Sequence, residues 1–299
     1  MSSPNIIDTK MHGLDEITAT FLVPAARPAL IETGPRSCVD NVIAALATAG
    51  VDSLEYIIVT HIHLDHAGAA GTLAAHFPDA TVCVHEVGAP HLVDPSKLWA
   101  SASRIYGAAM ETMWGGIDPI DRDRIRVIGD GDTIDLGDVK LNAIETPGHA
   151  YHHHAYFNED TGDLFTGDAL GIFMQHPRVI RPATPPPELH VEKAVSSIER
   201  LRKIGAVALY FTHFGRHDAN DVIFNDAIEA LRRWEDWVRA ARRKTRELDE
   251  VVTMVEAESV AVLEGELPQE EAQRLENTTS YRMNVMGFMR YLDKLEASR

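Results

Sequence analysis

Nine consecutive residues constrain this chain more than any other stretch. Thr60-His61-Ile62-His63-Leu64-Asp65-His66-Ala67-Gly68 directly follows the apolar run Tyr56-Ile57-Ile58-Val59. Such a short, continuous β-branched run reads as a strand buried on both faces. Three imidazoles and one carboxyl group then fall within six residues, where the chain leaves that strand. Imidazole and carboxylate are the ligands that borderline divalent metals prefer. In a turn, alternate residues can aim at one point while Asp65 and His66 aim at a second. Gly68 lets the following helix pack closely. The fold must therefore bring a buried strand to an edge where a metal can sit.

Three later turns supply further ligands of the same kind. Thr146-Pro147-Gly148-His149 follows the strand pattern Lys140–Glu145. Phe165-Thr166-Gly167-Asp168 and Phe211-Thr212-His213-Phe214-Gly215 close two other strand patterns. Each places a His or Asp at the C-terminal end of a strand, where layered α/β proteins build their sites. Between these turns, periodicity predicts strands over 17–24, 29–33, 80–85, 125–128, 133–136, 154–157, 163–166 and 207–212. It predicts helices over 38–49, 68–76 and 192–204. From about residue 218 the pattern changes to long amphipathic helices, over 222–254, 269–276 and 281–296. The chain thus reads as a layered α/β core over 1–217, with a helical insertion at 95–119, and a helical C-terminal region over 218–299.

The His-x-His-x-Asp-His motif and its three downstream turns resemble those of the metallo-β-lactamase superfamily, over roughly residues 15–217. The resemblance implies an αββα sandwich, two mixed sheets packed together with helices outside, and a metal site at one edge. Carried over residue by residue, it implies that His61, His63 and His149 hold one ion. Asp65, His66 and His213 hold a second, and Asp168 bridges the two. The ions are two divalent metals, zinc first, with iron or manganese as alternatives. They would share a water, lower its pKa and yield a bridging hydroxide at neutral pH. The same assignment implies that Asp65 and Asp168 would be the catalytic carboxyl groups, Asp65 as a proton relay. His153 reads as a supporting residue. Glu32 stands where the family usually has Asp. Gly171 stands where related lactonases carry Tyr, so an assisting phenol has to come from elsewhere, for instance Tyr106.

The implied activity is hydrolysis of a small ester, thioester or lactone. The alternatives are a small phosphodiesterase of the same fold, a diiron redox protein or a non-catalytic metal-binding protein. Charge weighs against polymeric nucleic acid: 28 basic residues face 45 acidic ones, a net charge of -17, which repels polyanions at long range. Cys38 and Cys83 are too few for a disulfide framework or a thiolate zinc site and read as buried small hydrophobes. The N-terminus lacks a basic start and an apolar core, and no run of about 18 apolar residues occurs. A cytoplasmic chain with a small-molecule substrate and no membrane partner is the expectation. Tyr106, Met110 and Trp114 in the insertion, and Phe173, His176, Arg178 and Arg181 after the bridging Asp, are candidate pocket residues. The two arginines would be available for a substrate carboxylate. Ordinary helix packing for the aromatics and a solvated surface for the arginines are the competing readings. Arg242-Arg243-Lys244 loosely resembles a glutathione-binding basic spot. The apolar helix over 281–295 is expected to dock on the core or on a second copy, as in a homodimer.

Overall fold

The computed structural model describes residues 3–175 and 178–298. Among these, two six-stranded sheets form the architecture. The first holds β1 (Asn5–Asp8), β2 (Ala19–Val23), β3 (Ala29–Ile31), β4 (Tyr56–Ile58), β5 (Thr81–His85) and β6 (Ile125–Ile128), side by side in chain order. β1 to β3 run as an antiparallel meander, and β3 to β6 run parallel. The second sheet holds β7 (Thr133–Asp135), β8 (Lys140–Glu145), β9 (His154–Asn158) and β10 (Asp163–Gly167). A separate hairpin, β11 (Ile172–Gln175) with β12 (Arg178–Arg181), lies outside both sheets. β13 (Ala208–Phe211) and β14 (Gly215–Asp218) complete the second sheet in the order β14-β13-β10-β9-β8-β7. The helices are α1 (Val39–Thr48), α2 (Leu64–Ala67), α3 (Ala70–His76), α4 (Ala89–Val93), α5 (Ser96–Tyr106), α6 (Met110–Trp114), α7 (Val191–Arg202), α8 (Asp221–Arg242), α9 (Leu248–Ser259), α10 (Gln269–Thr278) and α11 (Tyr281–Ala297).

The chain divides into two compact units. The first comprises Met1–Glu145, His152–Gly167 and Ala208–His217; the second comprises Thr146–Tyr151, Asp168–Val207 and Asp218–Arg299. Period-two alternation builds the first unit. Leu30, Ile57, Val82 and Val84 point from the first sheet to α1 and α3 and form one core with Val42, Leu46 and Leu73. Their neighbours Ala29, Ile31, Ile58 and Cys83 point the other way, into a second core with Leu141, Tyr156, Phe165 and Tyr210 of the second sheet. Phe21 seals this layer, with ring centroids 5.4 Å from Phe165 and 5.5 Å from Tyr210. Burial pushes the Cys83 thiol up to about 12, which suits an inert hydrophobe. Cys38 is buried as well, and both cysteines are free thiols.

In the second unit, Trp234 of α8 is fully buried and stacks on Tyr281, 5.5 Å away, and on Phe288, 6.4 Å away. Trp→Ala at such a site removes both transfer energy and packing. Trp234→Ala is expected to destabilise the protein by about 3–5 kcal/mol, read from the denaturant midpoint; a loss below 1 kcal/mol would contradict this packing.

Four local features differ from the sequence reading. β1 and β14 are additional strands, and so is the β11–β12 hairpin, a stretch to which the sequence reading assigned no element. The helix expected over 222–254 is two helices, α8 and α9, because the chain turns after Arg242 and Glu247 takes extended backbone before α9. The apolar period survives the turn because α9 folds back to pack on α8.

Candidate metal centre

In the first unit, β4 ends at Ile58 and delivers the metal-type segment onto α2. Glu32, at the end of β3, is fully buried beneath it with a left-handed backbone (φ 65°). Its Oε1 accepts from the Thr60 hydroxyl at 2.6 Å, the Thr212 hydroxyl at 3.2 Å and His66 Nδ1 at 2.9 Å. The Thr60 oxygen in turn accepts from His61 Nδ1 at 3.0 Å. His213 Nδ1 donates to the Ile17 carbonyl at 2.7 Å. Each bond directs a ring proton inward and leaves Nε2 as the outward lone pair, the arrangement that orients a metal-binding imidazole.

The outward atoms converge. His213 Nε2 lies 3.3 Å from His66 Nε2. Asp65 Oδ2 lies 3.5 Å from His213 Nε2 and 3.7 Å from His66 Nε2. Donor atoms around a zinc ion with bonds of about 2.0–2.1 Å stand roughly 3.3 Å apart at tetrahedral angles. The triangle is therefore of a size to hold one divalent ion. Next to it, His61 Nε2 and His63 Nδ1 approach to 2.9 Å, and the His61 ring lies 4.0 Å from that of His66. His153 is fully buried with its ring 4.9 Å from His61.

The second unit carries the other two expected ligands. His149 Nδ1 donates to the Ala183 carbonyl at 2.8 Å, and its Nε2 stands 3.4 Å from Asp168 Oδ2. Gly148 permits this turn to pack: its φ is 143°, and an added Cβ would lie 2.3 Å from the backbone of Ala194 on α7. The cleft beside the pair is lined by Leu170, Leu189, Ala194 and Ile198.

The expected pocket residues divide differently from the sequence reading. Met110 and Trp114 are buried in a cluster with Met11, Ile17, Cys38 and Leu64, so they back the metal segment as core and do not wall a pocket. Tyr106 is half-buried, edge-on to Trp114 at 5.1 Å. Burial first, and then the nearby Asp65 charge, hold its phenol above the ordinary range. Phe173 is buried in the β11–β12 hairpin, paired with Ile180. Arg178 is exposed and pairs with Asp226 at 2.8 Å. Arg181 is an internal anchor rather than a substrate contact. It is 1% exposed, bonds Glu276 at 3.0 Å and the Thr279 carbonyl at 2.8 Å, and lies 4.1 Å over the Tyr281 ring. Arg242 is likewise committed, to Asp293 and Glu296 of α11. His176 lies outside the described residues.

No helix among the described residues is long and apolar enough to cross a membrane. The metallo-β-lactamase fold-containing protein ST1585 of Sulfurisphaera tokodaii is 31% identical over 169 residues, covering 55% of this chain and 62% of that protein. The ST1585 crystal structure has a TM-score of 0.70 at 22% identity, covering 98% of this chain and 99% of that one. Hydroxyacylglutathione hydrolase of Aeromonas hydrophila is 31% identical over 117 residues, 39% of this chain and 34% of that protein. The enzyme of the same name from Thermosynechococcus vestitus is 31% identical over 165 residues, 54% of this chain and 52% of that protein. The chain thus spans less than two thirds of the length of these curated relatives. A family model for the metallo-β-lactamase superfamily matches residues 13–213. With its two mixed sheets, its strand-end ligand turns and that match over most of its length, the chain belongs to the metallo-β-lactamase superfamily.

Proposed function

We propose that the protein is a dinuclear metallohydrolase acting on a small ester, thioester or lactone. The observation that carries this reading is the triangle of Asp65, His66 and His213, whose donor atoms match the spacing of a metal's ligands. In this reading His61, His63 and His149 would hold one ion, and Asp65, His66 and His213 would hold the other. Asp168 would be shared between them. Zinc is the first candidate, because His and Asp ligands suit it. Two such ions supply Lewis acidity and a water acidified towards neutral pH.

The chain's own residues do the rest. The Glu32, Ile17 and Ala183 acceptors keep the Nε2 atoms of His66, His213 and His149 directed outward. Asp65, one fifth exposed, can take and return a proton at its carboxyl oxygens. Tyr106 keeps its hydroxyl proton at neutral pH and can donate a hydrogen bond to a developing oxyanion. The names of the two curated hydrolases support an acyl substrate. The engagement of Arg242 with α11 weighs against a glutathione-binding role for that basic spot.

A proton-release assay tests the reading. Lactones, thioesters, aryl esters, phosphodiesters and β-lactams are offered to protein stripped by chelator and to the same protein reloaded with zinc. Turnover is expected with one of the first three classes, in the reloaded sample alone. Turnover confined to phosphodiesters, or unaffected by chelation, would overturn it.

A further inference from the structure

A second cluster of ligand-type side chains lies wholly within the first unit, apart from the seven residues assigned above. His85 ends β5 in the first sheet. Glu145 ends β8 and His154 begins β9 in the second sheet, and the two stand directly opposite each other in register. Cross-strand partners in register carry their side chains on one face, and His85 meets that face. Its Nε2 is 3.5 Å from Glu145 Oε1, and its ring centroid is 4.8 Å from that of His154. One donor atom from each of the three lies within 4.8 Å of the others. His154 is fully buried, His85 nearly so, and Glu145 is partly open to solvent.

Two imidazoles and one carboxyl group form a three-ligand set that zinc uses when a fourth position is left to water. The 3.5 Å separation is close to the roughly 3.3 Å edge of a tetrahedral zinc shell. All three residues sit on strand ends, which hold ligands more rigidly than loops do. The backbone N–H of His154 donates to the Thr60 carbonyl at 2.8 Å, fixing β9 at this point. One rearrangement is required. The Val87 N–H donates to His85 Nδ1 at 3.0 Å, and coordination through Nε2 needs that nitrogen to regain its proton. Val87 is exposed, so its amide can turn to water.

The geometry points to a third divalent-metal site, formed by His85, Glu145 and His154, that ties the end of β5 to the β8–β9 pair. It is separate from the proposed hydrolytic centre, and its role is to brace the two sheets.

Metal content and thermal stability test it on the full chain. The protein is stripped with chelator, titrated with Zn²⁺ against a metallochromic competitor, and compared with His85→Gln and Glu145→Gln. Each variant is expected to bind one equivalent fewer than wild type, to lose part of the zinc-dependent rise in Tm, and to keep hydrolytic activity within about twofold. Glu145→Gln, at a partly exposed position of unchanged shape, guards against a folding defect at His85. Equal zinc content in wild type and both variants would overturn the third site, whatever the total. Fewer than two equivalents remaining in folded Glu145→Gln would instead count against the dinuclear reading, so the two failures are distinguishable.

Discussion

Asp168→Ala is expected to lower kcat/KM for the preferred substrate about 10³-fold at saturating zinc, with the fold retained. Asp168 follows β10 through Gly167, whose φ is 50° and whose position leaves no space for a side chain: an added Cβ would lie 2.6 Å from His153 Nε2. This turn buries the carboxyl group and sets one oxygen 3.4 Å from His149 Nε2. A bridging role needs two equivalent oxygens, one for each ion. Ala supplies neither. Asn keeps the shape but offers one oxygen and an NH₂ group that does not bind metal, so Asp168→Asn should recover little. Metal-derived charge stabilisation contributes several kcal/mol to such reactions, and about 4 kcal/mol corresponds to roughly 10³ in rate. Steady-state kinetics alongside zinc content by elemental analysis make the check. A fall of less than tenfold, with two ions still bound, would remove Asp168 from the bridging position.

The metal segment was legible because its signals coincide in one short stretch. A β-branched run buried on both faces precedes His61, and four ligand-type side chains follow within one turn. The strands that carry His149, Asp168 and His213 were legible for the same reason, since each ends in a Gly-containing turn. The strand over 29–33 was legible from its apolar composition, whereas the alternation that sends Leu30 to the helices and Ile31 to the other sheet shows only once both faces are seen covered. What stayed hidden depends on partners distant in sequence. Arg181 looks like any cation after a ligand turn; its burial comes from Glu276 and Thr279, nearly a hundred residues later. Met110 and Trp114 have a composition that suits a pocket wall as well as a core, and only the packing of Met11 and Leu64 against them decides. β1, Asn5-Ile6-Ile7-Asp8, sets two apolar residues side by side between two polar ones and so shows no alternation. His85, Glu145 and His154 carry no shared motif, because β-sheet topology alone brings them together. Glu32 read as a departure from the family pattern, yet its longer side chain reaches both threonines and His66.

Glu32→Ala is the second large effect, falling on stability and metal affinity together. The Glu32 carboxyl group is fully buried and accepts from the Thr60 hydroxyl and amide, the Thr212 hydroxyl and the His66 ring. Removing it leaves several buried donors without acceptors, each costing about 1–3 kcal/mol when no water replaces the partner. Partial hydration of the new cavity offsets some of this, and a net loss of about 4 kcal/mol is expected, at the upper end for a single substitution. His66 and, through Thr60, His61 lose the group that fixes their ring orientation. Zinc affinity should fall about 10–100-fold, the usual consequence of removing such a support. The left-handed backbone separates the two contributions. Glu32→Gly relieves the backbone strain carried by any side chain at φ 65°, worth about 1 kcal/mol or more, but restores no acceptor. Gly should therefore be more stable than Ala while binding zinc as weakly. Glu32→Gln keeps one acceptor oxygen but turns an NH₂ group towards the Thr60 amide, and should fall between Ala and wild type in both measurements. Chemical denaturation of the metal-free proteins gives the stability order, and zinc competition titration gives the affinity order. Wild-type zinc affinity in a folded Glu32→Ala variant would show that His66 and His61 are oriented without the carboxyl group.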